Sequence, residues 1–339
     1  MTPPSLPRRA ALLGALGAAV LPATPALTTP APAAAGSAGG DALATAARDY
    51  LAALGPRAAQ ARFAFGGPEH LDWHWFPDLF RGGRREGPRL GSLTPAQRDA
   101  AMALLAALTT PAGRDKAVAI MSLQADLGRD PGDYHAAVYG EPGGTDPWGV
   151  GWEGHHLALY ACVVGGRVLP GPVFLGAAPT RVEAGPRAGL RAMAAEEDGA
   201  RAALLALPEP LRARALVAPR TSGDTITANR PRTGALPPEG IALAEMPGGA
   251  RSDLLRAIEA YLDAMPPDAA ERERAALRAA DPARVRFAWH GSARPGELYY
   301  WRAQGDRFLI EHDNSRDGGR HIHSVWRGFG TDFGGASPA

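Results

Sequence analysis

Two stretches of this 339-residue chain combine histidine with carboxylate residues, a pattern that is typical of metal sites. The first reads Trp-Glu-Gly-His-His-Leu over residues 152–157, and the second covers residues 308–314 and 321–323. Five of the nine histidines of the chain lie in these stretches. Histidine nitrogen and carboxylate oxygen together suit zinc, iron, manganese or copper. The sequence therefore predicts a divalent metal site without sulfur ligands.

The predicted ligands follow from the two-residue period of a β-strand, in which residues i and i+2 point to the same side. Neighbouring strands lie about 4.8 Å apart, so adjacent strands can bring such pairs to one patch. The pairs are Glu153 with His155, Glu311 with Asp313, and His321 with His323. The predicted metal ligands are three histidines and one of two acids: His155, His321, His323, and Glu311 or Asp313. Burying those acids without a cation would be costly, which favours a metal over a purely structural polar cluster.

Two further residues of the first stretch are predicted to act in catalysis. Glu153 lies on the ligand side of a regular strand, and we predict that it is a general base. His156 is the second catalytic candidate, although it faces away from His155 in a regular strand and joins the site only at an irregular strand end. His74 is left open as a contributor from the first half of the chain. The alternative for His155 is a hydrogen-bonded core histidine, because apolar residues share its face.

The chemistry of these residues fits three classes of function. The first is a metal-dependent hydrolase of the cell envelope that uses metal-activated water. The second is a non-haem iron or copper oxidoreductase, and the third is a metal- or ligand-binding protein without turnover. The chain lacks a P-loop, an HExxH motif and a Gly-x-Ser-x-Gly elbow. The substrate, a small molecule or a peptide, is not indicated.

Charge and the N-terminus predict where the protein acts. The formal net charge is +1, which does not favour nucleic acid or an anionic membrane as a partner. Arg8-Arg9 precedes an apolar run over residues 10–21, so residues 1–26 are predicted to be an export signal of the Tat or Sec type. That run is too short for a stable membrane anchor. Residues 27–40 are predicted to be a disordered spacer, and the protein is expected to be periplasmic or secreted.

The rest of the chain predicts an α+β domain over residues 41–335, with helices packed on a mainly antiparallel sheet. Its two halves are joined by a loop-rich connection near residues 219–250. Helices are predicted over residues 41–54, 94–108, 113–127, 185–207, 252–265 and 269–279. Strands are predicted over residues 62–65, 157–164, 167–175, 298–303, 307–312 and 321–326, and the second and third of them form a hairpin around Gly165-Gly166. A turn rich in glycine and tryptophan is predicted to begin at residue 148, before the strand over residues 157–164.

Three local patterns sharpen this prediction. Thr94, Pro95 and Gln97 form a capping box with proline at the first helical position. Residues 196–198 are acidic and are expected on a solvated helix face. Residues 286–291 resemble residues 62–67, which leaves open a weak internal duplication.

The two histidine stretches resemble the bacterial and fungal family known as domain of unknown function 3500. The resemblance covers roughly residues 41–335 and includes Trp73-His74, residues 93–98 and Asp332-Phe333-Gly334. This sequence has His312 where the family pattern has tyrosine, and Gly328 where it has aspartate. Neither difference removes a predicted ligand. The resemblance implies that the motifs act as one unit, and it implies no particular activity.

Overall fold

The structure, a computed structural model, describes residues 38–81 and 85–335. The predicted export signal and nearly all of the predicted spacer lie outside the described residues. Within the described ranges, the chain combines helices with one mixed β-sheet, which confirms the predicted α+β class. None of the helices in these ranges is long and apolar enough to cross a membrane.

The described residues form eight α-helices and one sheet of eleven strands. The helices are α1 Ala38–Leu54, α2 Pro68–Leu71, α3 Pro95–Leu108, α4 Pro111–Ser122, α5 Ala194–Leu205, α6 Glu209–Ala215, α7 Gly248–Leu262 and α8 Pro267–Ala279. The strands are β1 Arg62–Phe63, β2 Tyr134–Tyr139, β3 Trp148–Gly154, β4 Leu157–Val164, β5 Arg167–Ala177, β6 Leu216–Ala218, β7 Ile241–Ala242, β8 Arg286–Gly291, β9 Tyr299–Gln304, β10 Phe308–Arg316 and β11 His321–Gly328.

The sheet consists of two antiparallel meanders that meet at its centre. Strands β2 to β5 are successive neighbours, and so are β8 to β11. The meanders join through their last strands, because β5 pairs with β11 in antiparallel register and places Gly176 opposite His323. Among the described strands, parallel pairs occur between β1 and β2 and between β6 and β8. The mainly antiparallel sheet is thus as predicted.

The two faces of the sheet are covered by different parts of the chain. Strand side chains alternate between the faces, and one set packs against the large helices to form the main core. The other set, which includes Phe174 and Val325, packs against Trp75 and Phe333. The Trp75 ring stacks on Phe174 with centroids 3.9 Å apart, an arrangement worth about 0.5–1.5 kcal/mol beyond area burial. His323 lies two residues from Val325 and therefore belongs to this second face.

Local signals in the sequence predicted several elements correctly. The capping box of α3 is present, since Thr94 and Gln97 exchange backbone-to-side-chain hydrogen bonds. Strands β4 and β5 form the predicted hairpin, and both glycines of its turn have positive φ. Helix α1 begins at Ala38, three residues before the predicted start, and the Gly39 N–H donates to Asp268 at 2.8 Å.

Residues 148–154 are a buried strand, whereas the sequence predicts a glycine- and tryptophan-rich turn before a strand. Its glycines allow close packing against tyrosine rings. A Cβ at Gly151 would come within 2.8 Å of Tyr160, and one at Gly154 within 2.1 Å of Tyr134. Glycine in a strand often marks such an approach. The partner strand β2 was not predicted at all.

The predicted helix over residues 185–207 begins only at Ala194. The prediction of a solvated acidic face is confirmed for Asp198 and is wrong for Glu196 and Glu197. Glu196 is fully buried and pairs with Lys116, which is 80 residues away in sequence. Glu197 is also buried and pairs with Arg201 at 2.9 Å. Buried carboxylates are rare unless they are paired, and these partners could not be read from the acidic run itself.

The loop-rich connection is irregular over residues 219–240 and ends where β7 begins. This segment lies on the second face of the sheet. The Nδ2 atom of Asn229 donates to the carbonyl of Trp73 at 3.3 Å, and Arg327 donates to the carbonyl of Arg230 at 2.8 Å. The possible duplication would match β1 with β8. Each has a parallel neighbour, but among the described strands β1 lies at the edge of the sheet, whereas β8 lies between β9 and β6 and also pairs with β7.

Candidate metal centre

Three histidines form a group that could hold a metal ion: His156, His321 and His323. The Nε2 atom of His321 lies 2.8 Å from Nε2 of His156 and 3.1 Å from Nε2 of His323. Nitrogens bound about 2.0–2.1 Å from one tetrahedral zinc lie roughly 3.3 Å apart. These two spacings are therefore close to those of ligands on a common ion, and all three ligand atoms lie within 4.8 Å of one another.

His156 reaches the group because the chain turns between β3 and β4. His155 and His156 are the two turn residues, since Gly154 pairs with Leu157. His156 has a φ of +66°, a left-handed conformation that histidine adopts more readily than most side chains do. Its backbone is held on both sides: its N–H donates to Trp75 at 3.1 Å, and its carbonyl accepts from Gly176 at 2.8 Å.

His321 and His323 occupy the start of β11, and each is oriented by a carboxylate. The Nδ1 atom of His321 lies 2.7 Å from Asp317, and Nδ1 of His323 lies 2.9 Å from Asp224. A carboxylate can only accept, so each Nδ1 carries the hydrogen and each Nε2 keeps its lone pair. Carboxylate partners of this kind orient histidine ligands and raise their basicity.

The electrostatics of the group favour neutral imidazoles, the form that binds metals. Burial lowers the pKa of His156 well below its ordinary value, and the neighbouring histidines lower it further. Burial and then His323 lower the pKa of His321, although Asp317 acts in the opposite direction. For Asp224, burial acts to raise the pKa, but the hydrogen bond to His323 and other contacts lower it overall. These shifts favour neutral nitrogen donors at His156 and His321 and an ionised carboxylate at Asp224.

His155, a predicted ligand, lies next to the group without belonging to it. Its ring centroid is 3.7 Å from that of His156. Its Nδ1 lies 2.8 Å from Oε1 of Gln124, and its carbonyl accepts from the Tyr134 hydroxyl at 2.8 Å. Burial, followed by the charge of Arg129, lowers the pKa of His155 to about 3. The turn between β3 and β4 explains why His155 is not in the group, because a regular strand would have placed His155 on the ligand side.

The two acidic residues predicted as ligands also lie outside the group. Glu311 is fully buried, and its oxygens accept four hydrogen bonds: from the N–H groups of Ile226 and Thr227 and from the hydroxyls of Thr227 and Tyr300. Glu311 thereby fixes the segment that carries Asp224. Asp313 lies opposite His323 in the β10–β11 register, and Oδ1 accepts from Ser315. Burial raises the pKa of Asp313.

Glu153, the predicted general base, is engaged elsewhere on the second face. It is 4% exposed and does not line the cavity beside the histidines. One oxygen accepts from the Tyr160 hydroxyl at 2.8 Å and from the His74 N–H at 3.0 Å, and the other pairs with Arg85 at 2.9 Å. Burial raises the pKa of Glu153, while Arg85 opposes the shift. The backbone of His74 supports this network, and its ring is absent from the histidine group.

The histidine group lies in the wall of a cavity of about 200 Å³. Aromatic and apolar side chains form part of the wall: Trp75, Phe76, Phe80 and Leu127. Charged side chains complete it: Arg129, Arg316 and Asp317. His155 also lines the cavity. A bound ion would therefore face a small, partly apolar space with basic residues at its edge.

Sequence reasoning missed the carboxylates and the arginine of this site for different reasons. Asp317 is four residues before His321, across the turn between β10 and β11, and that short spacing was an available signal. Asp224 is 99 residues from His323 and lies in a segment without periodicity, so no pattern pointed to it. Arg129 follows a helix in a stretch of ordinary surface composition and carried no signal of its own.

Comparison with known proteins places the chain in a family. The model of a family described as "Protein of unknown function (DUF3500)" matches residues 37–335, nearly the whole chain. The chain therefore belongs to this family, in agreement with the resemblance seen in the histidine stretches. No curated protein and no solved structure matches the chain.

Proposed function

We propose that this DUF3500 protein binds one divalent transition metal through the Nε2 atoms of His156, His321 and His323, and uses it to activate water for hydrolysis. The observation that carries the proposal is the contact between Nε2 of His321 and Nε2 of His323 at 3.1 Å. Their Nδ1 hydrogens point to Asp317 and Asp224, so two lone pairs face each other. Two facing lone pairs repel each other, and a cation bound to both nitrogens would remove this repulsion.

The chemistry of the proposed centre follows from its ligands. Three protein ligands and a free position for water are the pattern of catalytic zinc sites. When bound there, the ion would lower the pKa of its water to about 7, which supplies hydroxide near neutral pH. The three histidines hold the ion, and the two carboxylates behind them keep the rings in place. This scheme does not require Glu153 as a base, and we assign Glu153 a structural role.

An oxidoreductase is the second candidate. Three imidazoles without a carboxylate in the group also suit iron or copper. The identity of the bound metal separates the two candidates, because zinc supports hydrolysis and has no redox chemistry. Binding without turnover is the third candidate, and it predicts a bound metal with no reaction.

Export to the cell envelope is part of the proposal. It rests on the twin arginine and the apolar run within residues 1–26. Mass spectrometry of the mature protein from the source cells tests it. We expect a new N-terminus near residue 26 in the envelope or secreted fraction, and an intact Met1 in the cytoplasmic fraction would contradict it.

The hydrolase proposal is tested with zinc-loaded protein, metal-stripped protein and a His321→Ala variant. The substrates are 4-nitrophenyl acetate, 4-nitrophenyl phosphate and an aminoacyl 4-nitroanilide. We expect turnover of at least one by the zinc-loaded protein, restored by zinc after stripping and reduced to the metal-free rate in His321→Ala. His290→Ala is the matched control, because His290 pairs with Glu239 outside the group. The proposal of hydrolysis would be contradicted if the fully zinc-loaded wild type hydrolysed none of the three substrates faster than His321→Ala does.

A further inference from the structure

We infer that the cavity beside the histidine group takes a small organic anion, whose carboxylate or phosphate binds Arg129 and whose apolar part lies on the aromatic rim. The inference rests on the proposed function, because the same cavity would bring the anion to the metal. It deepens that proposal by naming the chemical class of the substrate.

Of the two arginines that line the cavity, Arg129 is the one that forms no ion pair within the described residues. It follows a 3-10 turn and Gly128, whose left-handed backbone (φ +66°) redirects the chain. Its guanidinium lies 3.2 Å from Nδ1 of His155 and has no carboxylate partner within residues 38–81 and 85–335. Arg316, the other arginine of the wall, already pairs with Asp224. An incoming anion would therefore meet an uncommitted guanidinium at Arg129.

The contact between Arg129 and His155 does not satisfy the guanidinium. The Nε2 atom of Gln124 donates to the carbonyl of His155 at 3.5 Å, which turns Oε1 of Gln124 toward the ring. That oxygen lies 2.8 Å from Nδ1 and accepts its hydrogen. The N–H of Arg129 thus faces an N–H, not a lone pair. An oxyanion would supply the acceptor that is missing, and guanidinium forms paired hydrogen bonds with carboxylate and phosphate.

The remaining polar groups of the wall also favour an anion. Asp317 is the one carboxylate among the lining residues, and it is engaged by His321. Trp75 lines the cavity, and its buried Nε1 donor has no acceptor among the described residues. A divalent ion on the histidines would add two positive charges. The wall carries two arginines and one aspartate, so positive charge is in excess, and such an excess in a low-dielectric cleft attracts an anion.

The rim supplies the apolar part of the recognition. Phe76, Phe80 and Leu127 are 39%, 73% and 37% exposed, unusually high for large apolar side chains, and all three line this cavity. Exposed apolar side chains that lie together mark binding sites more often than isolated ones do. The cavity volume of about 200 Å³ is below the roughly 300–1,000 Å³ of pockets for drug-sized ligands. The ligand is therefore a small anion with a ring or short chain.

The test is calorimetric titration of zinc-loaded and metal-stripped protein with 3-phenylpropionate and phenyl phosphate. We expect both anions to bind, and the better of the two identifies the preferred oxyanion. Benzyl alcohol and inorganic phosphate, which each lack one half of the recognition, should bind roughly tenfold more weakly or worse. Arg129→Gln should weaken both anions by roughly tenfold or more in both metal states. Arg57→Gln is the matched control, since Arg57 is exposed and bonds Ser92 without an ion pair.

The outcomes separate this inference from the metal proposal. Zinc binding together with equal anion affinities in wild type and Arg129→Gln would overturn the inference and leave the metal site standing. Failure to bind zinc, with anion binding that still depends on Arg129 in the metal-stripped protein, would support the inference and remove the metal. Equal affinities for benzyl alcohol and 3-phenylpropionate would also overturn it. Melting temperatures check that each variant is folded. We expect Arg129→Gln to remain folded because Arg129 lies on the surface.

Discussion

The Nε2 atoms of His156 and His321 lie 2.8 Å apart, although 165 residues separate the two histidines in sequence. His156 comes from the turn between β3 and β4, and His321 begins β11. They meet because β5 pairs with β4 on one side and with β11 on the other. The candidate metal centre is therefore built across the seam between the two meanders.

Asp224→Asn should weaken zinc binding while leaving the fold intact. Asp224 accepts from Nδ1 of His323, and loss of its charge makes that imidazole a poorer ligand. Replacing such a carboxylate typically costs roughly 10–100-fold in metal affinity. Competition with a chromophoric chelator measures the zinc affinity. Asp306→Asn, which removes a surface ion pair with Arg284, is the control, and equal affinities in the two variants would show that Asp224 does not support the centre.

Glu153→Gln should keep the metal and lower the stability of the fold. The carboxylate is buried and pairs with Arg85 at 2.9 Å, and a hydrogen bond to a charged group contributes roughly 1.5–3 kcal/mol. Urea denaturation should therefore show a loss of about that size in the free energy of unfolding. A full loss of metal with unchanged stability would instead place Glu153 among the ligands.

The stability of the protein should fall with acid in part because of His70. Burial lowers the pKa of His70 to about 3, from an ordinary value of 6.5. The folded state then resists a proton that the unfolded state accepts, so the contribution is complete above pH 6.5 and is lost as the pH falls toward 3. The slope is about 1.4 kcal/mol per pH unit for one proton.

His70→Gln tests this dependence because glutamine retains an acceptor for the Gly66 N–H, which donates to His70 at 3.0 Å. Denaturation curves at pH 7 and pH 5 should show a smaller loss of stability in the variant than in the wild type. Parallel losses in the two proteins would mean that His70 is not held neutral by the fold.

The sequence predicted what depends on local spacing. The capping box of α3, the hairpin of β4 and β5, and the pair His321 and His323 all follow from periods of a few residues. The membership of His156 in the group could not be derived from spacing. The prediction assumed a regular strand through His155, whereas His155 and His156 form a two-residue turn.

Long-range contacts account for the other differences. Glu311 has strand spacing suitable for a ligand, yet its oxygens are occupied by a segment 84 and 85 residues earlier in the chain. Glycines 149, 151 and 154 indicate a turn by composition, but Gly151 and Gly154 pack against tyrosines brought by neighbouring strands. Partners of this kind are set by the whole sheet, and a single sequence does not identify them.

The turn itself offers a paired test of which adjacent histidine binds the ion. Asparagine tolerates the left-handed backbone of His156 well, so His156→Asn removes the imidazole with little strain. His155→Asn removes the neighbouring ring, which belongs to the cavity and not to the group of three. Circular dichroism of both variants checks that the fold is retained.

Elemental analysis of the purified wild-type protein, these two variants and a His321→Ala/His323→Ala double variant is the most direct measurement of the metal centre. We predict about one equivalent of a transition metal in the wild type and in His155→Asn. We predict a loss of most of that metal in His156→Asn and in the double variant. Retention of metal by His156→Asn together with its loss from His155→Asn, or sub-stoichiometric metal in all four proteins after supplementation with zinc, iron and copper, would contradict the three-histidine site.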